Sequence, residues 1–343
     1  MKTLLAVLAS VWLSTQVMGQ QRMVIGATFG GGPEPESITS VSEALANTRP
    51  DTVKVIDFSG QNLKAIPEVI YRFTNLEKLY LGKNQLTALP RKISRLKELQ
   101  VVSLSENHLN VRKVKFGRNR HLQILNLQYN HLKALPPSVT RNRNLVQLVI
   151  GNNDFTSLPG RKLQRLPGLR EINLYNCKLT SLPRQIGKLQ NLQVLDLYRN
   201  QLKTLPPELT RLPKLEVLAL SYNRLDQLPA RIGELRQLRE LYCHHNQIHR
   251  LPESISNLPG LKLLDVSYNW FTEFPSPIDR IKTLEELNVG NNQIQALPAS
   301  LTALKQLKRV TLRGNPFSEA EMARQEYQSI LERLKAMQAM VYD

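Results

Sequence analysis

The stretch that decides the fold is LQVLDLYRNQLKTLP, Leu192–Pro206. Two rhythms run through it. Leu195 and Leu197 alternate with Asp196 and Tyr198, the period of two that puts alternate side chains on opposite faces of a strand. Beyond Asn200, Leu202 and Leu205 bury a returning segment, and Pro206 starts an outer path where a missing N–H is no handicap. Written as a frame, the stretch is L-x-x-L-x-L-x-x-N-x-L-x-x-L-P. Working outward, the frame begins again at 53, 76, 99, 122, 145, 169, 192, 215, 238, 261, 284 and 307. Ten of the eleven intervals are 23 residues and one is 24.

A unit of this kind cannot bury its apolar face alone. Stacking the units buries a continuous ribbon of leucine and pairs each strand with the next. Twelve parallel strands spaced ~4.8 Å apart make an inner arc of roughly 50 Å. The ninth position carries an amide at Asn84, Asn107, Asn130, Asn153, Asn200, Asn223, Asn246, Asn269, Asn292 and Asn315, with Gln61 and Cys177 as the exceptions. An amide both donates and accepts, so a file of them satisfies backbone groups that would cost ~1–3 kcal/mol each if left unpaired.

Twelve copies in one register resemble the leucine-rich repeat, whose period is 20–29 residues. The resemblance covers 53–317. Leu-Pro followed by isoleucine three residues after the proline (Pro183 and Ile186, Pro229 and Ile232, Pro252 and Ile255) is similar to the Ras-adaptor-like class, which includes plant Ras-group proteins and bacterial surface proteins. The expected fold is α/β: a right-handed horseshoe solenoid, a parallel sheet on its concave face and a capping helix at each end. The resemblance implies a module that binds other proteins through that sheet. It brings no catalytic residue.

The flanks read as follows. Met1-Lys2, an apolar run from Leu4 to Leu13 and the small-residue site Val17-Met18-Gly19 predict a signal peptide over 1–19. The run is far shorter than the ~20 residues that span a bilayer, so a secreted or periplasmic chain is expected, with no transmembrane segment. Residues 20–37, with Gly30-Gly31-Gly32-Pro33, read as a flexible lead-in. Ser40-Val41-Ser42-Glu43 matches a capping box, placing an N-terminal capping helix within 38–52. Ser318-Glu319-Ala320-Glu321 starts a C-terminal capping helix over 318–343, with Ile330, Leu334, Met337 and Val341 at helical spacing.

Function must reside in the positions the frame leaves free. Seven tyrosines occupy exposed strand sites: Tyr80, Tyr129, Tyr175, Tyr198, Tyr222, Tyr242 and Tyr268. Five fall in units six to ten, joined by Arg199, His244 and His245. Tyrosine offers broad contact at low entropic cost and concentrates in binding surfaces. Tyr175, Tyr198, Arg199, Tyr222, Tyr242, His244, His245 and Tyr268 are therefore the expected partner site on the concave face. Asp196, Asp265, Asn126, Asn173 and Asn288 line the same face.

Lys plus Arg number 46 against 28 Asp plus Glu, a net charge of +18. At the second, third, fifth, seventh and eighth positions of all units, ten basic residues face ten acidic ones, so the inner face is balanced. Between Asn107 and Leu195 the count is fifteen basic to two acidic. Most of that excess falls on outer return segments, where the frame also breaks: Arg112-Lys113 replaces Leu-Pro, Asn119 and Asn142 take apolar sites, and one residue is inserted between Pro159 and Leu163. Arg112, Lys113, Lys115, Arg118, Arg120, Arg141 and Arg143 form the core of a convex anion patch, and Arg161, Lys162 and Arg165 extend it. Its expected ligand is an anionic glycan or lipid. Nucleic acid is disfavoured, because no aromatic residues interleave the basic run.

Catalysis lacks parts. Cys177 and Cys243 lie three units apart, ~14 Å by strand spacing, beyond the ~7 Å limit for a disulfide. His244, His245 and His249 cluster in one unit, but adjacent strand residues point to opposite sides, and no metal site is expected. His108 and His131 share the tenth position of neighbouring units, with no further ligand. No hydrolase, zincin or dinucleotide motif occurs, and no cofactor is expected. The leading expectation is a non-enzymatic exported binder of a protein ligand. The alternative is an envelope-associated binder of an anionic glycan or lipid through the convex patch.

Overall fold

The computed structural model describes residues 37–342. The expected signal peptide (1–19), and the lead-in (20–37) except for its last residue, lie outside the described residues. The chain winds into one open sheet of three-residue strands in sequence order: β1 (Val55–Asp57), β2 (Lys78–Tyr80), β3 (Val101–Ser103), β4 (Ile124–Asn126), β5 (Gln147–Val149), β6 (Glu171–Asn173), β7 (Val194–Asp196), β8 (Val217–Ala219), β9 (Glu240–Tyr242), β10 (Leu263–Asp265), β11 (Glu286–Asn288), β12 (Arg309–Thr311) and β13 (Met340–Tyr342). All neighbours pair in parallel, and the register repeats the sequence period, as in Leu195 opposite Leu218. It lengthens by one residue between β5 and β6, with Leu148 opposite Ile172, and further at the last pair, where the C-terminal helices intervene and Val310 lies opposite Val341.

The fourth, sixth, eleventh and fourteenth positions close one continuous core. Leu195, Leu197, Leu202, Leu218 and Leu220 are wholly buried, each contributing about 1.5–3 kcal/mol of transfer free energy. Most return paths are short 3-10 turns that follow the Leu-Pro pair, such as Arg184–Lys188 after Pro183 and Pro207–Arg211 after Pro206.

The amide file stitches coil to coil. Asn200 donates from Nδ2 to the carbonyls of Leu174 and Leu197, both at 2.9 Å, and its Oδ1 accepts from the amides of Cys177 (3.1 Å) and Leu179 (2.9 Å). Asn107 holds coil three the same way, donating to Leu81 (2.9 Å) and Leu104 (3.2 Å) and accepting from Leu86 (2.9 Å). Cys177 substitutes with a single donor, Sγ to the Ile150 carbonyl at 3.3 Å.

The frame breaks have local solutions. Asn119 and Asn142 are buried amides, not exposed ones. Asn119 Nδ2 donates to Leu96 at 2.9 Å and Asn142 Oδ1 accepts from the Asn119 amide at 2.8 Å, so a second, outer amide pair replaces two leucines. The inserted residue of coil five tightens nothing: it converts the 3-10 turn to an α turn, α2 (Gly160–Leu163), with Leu163 N donating to Pro159 O at 2.9 Å. The short helix α1 (Val41–Ala46) precedes the sheet, with the Ser40 hydroxyl accepting from Glu43 N at 3.1 Å. It occupies 41–46 of the 38–52 segment in which a capping helix is expected.

The C-terminal segment departs from expectation. In place of one helix over 318–343 stand α3 (Glu319–Met322), α4 (Gln325–Ala336) and the strand β13. Ile330 and Leu334 are buried on α4 as their spacing predicts. Val341 is instead paired with Val310 in the sheet. A positive φ of 60° at Gln338 ends the helix and turns the chain back. Among the described residues no helix is long and apolar enough to cross a membrane.

Candidate functional site

Each coil leaves its strand by the same step. The fifth position is often Asp or Asn, and its side chain accepts from the amide two residues on: Asn173 from Tyr175 (3.2 Å), Asp196 from Tyr198 (3.0 Å), Asp265 from Ser267 (3.0 Å), Asn288 from Gly290 (3.1 Å) and Asn126 from Gln128 (3.0 Å). These residues, expected to help line a binding face, shape the turn out of the strand. The eighth position then takes a left-handed conformation, with φ of 56° at Arg199, 55° at Tyr222, 54° at His245 and 51° at Tyr268.

That step relocates the expected site. Tyr175, Tyr198, Arg199, Tyr222, His244, His245 and Tyr268 lie beyond the strand ends. They gather on the rim of the concave face, not across its sheet. There the rings form one file over five coils. Tyr175 stacks on Tyr198 (centroids 5.5 Å), Tyr198 leans on Tyr222 (5.1 Å), Tyr222 stacks on His245 (4.0 Å) and His245 on Tyr268 (4.0 Å). Arg199 lies over the rings of Tyr198 and Tyr222, and its Nη1 donates to the Tyr175 hydroxyl at 3.3 Å. Burial, with the neighbouring Tyr222 hydroxyl, pushes the Tyr198 hydroxyl up to about 12, so it stays protonated and able to donate.

Tyr242 does not join the file. It stands on β9, 8% exposed, against Ala219, Leu263 and Val217, with its hydroxyl donating to Glu240 Oε2 at 2.7 Å. Its exposure was the wrong expectation: the fifth position is flanked by neighbouring strands on both sides, and a large ring there is covered by them.

The two histidines also differ from expectation. Alternation would separate them, but the left-handed step at His245 brings Nδ1 of each ring within 2.9 Å of the other, one donating and one accepting. Burial lowers the proton affinity of both, and the charge of His244 adds to the effect at His245. Among the described residues no group of three or more His, Cys, Asp or Glu is placed to hold a metal.

Sequence reasoning missed Trp270. It sits two residues past Tyr268 and is 54% exposed, against 40% for Tyr268. The tenth position is not a leucine site of the frame, and a tryptophan at an unrequired position was the available signal.

The cysteines are interior and free. Burial raises the Cys177 thiol to about 12 and that of Cys243 further still, which makes both unreactive. On the outer side, Arg112, Lys113, Lys115, Arg118, Arg120, Arg141 and Arg143 are all exposed.

A coiled sheet with an open aromatic rim defines a repeat solenoid that offers a preformed surface. Family comparison agrees. The description "Leucine-rich repeat region" matches residues 157–245 and 216–342, and "Leucine rich repeat" matches 120–179. The chain belongs to the leucine-rich repeat family. It is similar to a leucine-rich repeat protein of Leptospira interrogans, at 28% identity over 90% of this chain and 99% of that one, with a TM-score of 0.51. An internalin of Listeria monocytogenes shares the fold at 22% identity and a TM-score of 0.69, over 83% of this chain and 78% of that one. The plant peptide hormone receptor RGFR1, solved in complex with RGF2, matches at 27% identity and a TM-score of 0.66, over 85% of this chain and 47% of the receptor chain. No curated protein matches the chain.

Proposed function

We propose that this chain is an exported, non-enzymatic module that grips a protein ligand along the aromatic rim of its concave face. The observation that carries the reading is the unbroken file from Tyr175 to Tyr268, with Arg199 laid across it. Three of its members hold left-handed backbone positions, which favour glycine or asparagine. A scaffold under no other demand gains nothing from tyrosine there. The plant receptor's complex supports a similar use of this fold. Export rests on the signal-peptide pattern of residues 1–19.

The test is capture of one protein species from extracellular extract by the immobilised chain, stable in high salt, followed by titration calorimetry. Tyr198→Ala, Tyr222→Ala and Trp270→Ala are each expected to weaken that ligand at least tenfold, about 1.4 kcal/mol. Tyr80→Ala, on a distant strand, is expected to change affinity less than threefold. Full affinity in all three rim variants overturns the site. Mass spectrometry of the exported chain is expected to find Gln20 at its N-terminus.

A further inference from the structure

The twentieth residue of the coil, which ends the 3-10 turn where one forms (Arg72, Arg95, Arg141, Lys188 and Arg211), is basic in seven consecutive coils once Arg118 of coil three and Arg165, one place later in coil five, are included. In coil five the α turn absorbs the inserted residue, so Arg165 keeps the place that Lys188 holds in coil six: Leu166 N bonds to Leu163 O as Leu189 N bonds to Ile186 O. All seven side chains are exposed. Among the described residues none of the seven is ion-paired. The file stops at coil eight, where Glu234 takes the position and pairs with Arg231. Arg280, at the same place in coil ten, is paired with Glu253.

Two residues further on, Lys97, Arg120 and Arg143 form a shorter parallel row in coils two to four, also exposed. Beside it a shallow depression opens, lined by Arg143, Arg170, Asn144 and Asn191. Of the acids on these seven return paths, Glu68 is bound to Lys92 and Glu98 to His121, and Glu208 stands in the last coil of the file. The outer turns of coils three to six hold no acid at all.

Six intervals of at least ~4.8 Å make the file roughly 29 Å long or more, against a width of one side chain, or two where the shorter row runs beside it in coils two to four. We infer that this file binds a linear anionic polysaccharide, laid across the coils on the side away from the sheet. The shape argues for a thread of charge. A membrane surface favours basic residues beside apolar side chains that insert, and the large apolar side chains exposed among the described residues (Leu45, Tyr129, Tyr268, Trp270, Met322, Met340, Tyr342) lie off these outer turns. Single-stranded nucleic acid favours interleaved aromatic rings for base stacking, and no exposed ring stands in the file. The inference is independent of the rim.

The test is salt-dependent binding of the full exported chain to size-defined heparin fragments and polygalacturonate, with anionic phosphatidylglycerol vesicles and a single-stranded oligonucleotide beside them. Arg118→Gln, Arg141→Gln and Arg165→Gln combined remove the centre of the file. Lys203→Gln, Arg224→Gln and Arg250→Gln combined remove the same charge from the ascending side. The central triple is expected to weaken polysaccharide binding at least tenfold and to reduce the slope of log affinity against log salt by about one per lost contact. The control triple is expected to change affinity less than threefold. Affinity should rise with fragment length until the file is spanned. Equal losses in both triples, a plateau at fragments spanning two coils, or tighter binding of vesicles or oligonucleotide each overturn the inference. If the central triple fails to melt like the parent, Lys188→Gln with Arg211→Gln tests the far end, where a loss of threefold or more is expected and no loss overturns the file.

Discussion

In coils six to ten the outer step of the frame is kept: Leu182-Pro183, Leu205-Pro206, Leu228-Pro229, Leu251-Pro252 and Phe274-Pro275 all stand where a bulky apolar residue and proline are required, and Cys177 is the one change in the amide file. Their free positions carry the aromatic rim. In coils three to five the frame is broken by Arg112-Lys113, by two buried amides and by an insertion. There the convex side carries unpaired basic charge. Yet the sheet runs through both regions without interruption. The strand and its amide file are common property, while rim and outer turn vary independently. A solenoid built this way can carry two recognition surfaces without either disturbing the other.

The sharpest way to break that comparison is the shared interior. Asn200→Ala in an intact coil leaves the Leu174 carbonyl and the amides of Cys177 and Leu179 unpaired, while the Leu197 carbonyl keeps Asn223 Nδ2, and a cost of about 2–5 kcal/mol is expected in urea unfolding. Asn153→Ala in the broken region likewise frees two amides, those of Asn130 and Leu132, and removes donors to Leu127 and Ile150, and is expected to cost the same within about 1 kcal/mol. A much smaller cost at Asn153 would mean that the breaks reach the core.

Next in size is an effect confined to one region. Burial, with the nearby Glu171 charge, lifts the Asp196 carboxyl from 3.8 to about 7, against the pull of the Tyr198 amide. The folded chain thus keeps a proton that the unfolded chain gives up as pH climbs from about 4 to about 7. Stability present below that window is lost across it, by at most about 4 kcal/mol. Asp196→Asn is expected to flatten this limb of stability against pH. The equivalent sites of coils three to five, Ser103, Asn126 and Val149, do not titrate. An unchanged limb in the variant would place the titration elsewhere.

The smallest effect sharpens the view of the rim. Tyr129 in coil four holds the left-handed position at φ 55°, 48% exposed and outside the ring file. Tyr129→Asn is expected to raise stability by about 0.5 kcal/mol. Tyr222→Asn gains the same relief but loses its stacking on His245, at about 0.5–1.5 kcal/mol. Thermal melts should therefore rank Tyr129→Asn above the parent and Tyr222→Asn at or below it. The reverse order would show that the stack carries no energy.

The coils, the core leucines and the amide file were legible because each follows from a period, and twelve copies repeat it. The aromatic cluster was legible in membership but not in place. Two-fold alternation describes Leu195 to Leu197, and it ends at the Asx turn made by Asp196. Beyond that turn the left-handed eighth residue redirects every side chain. Hence the rim location and the contact of His244 with His245 lay outside a strand reading. Tyr242 was misjudged because exposure depends on the neighbouring strands, Ala219 and Leu263, and not on its own coil. The seven-coil basic file was present in the sequence throughout, but its alignment depended on knowing how coil five absorbs its insertion.

That α turn at Gly160–Leu163 has a wider consequence. A residue added to a strand would turn every later leucine to the wrong face. A residue added to the outer turn only winds it from three residues per turn towards 3.6, and the phase of the following coil survives. The outside of the ring is thus where such a gene can gain or lose a codon without penalty, and where a loop, tag or new specificity can be grafted first.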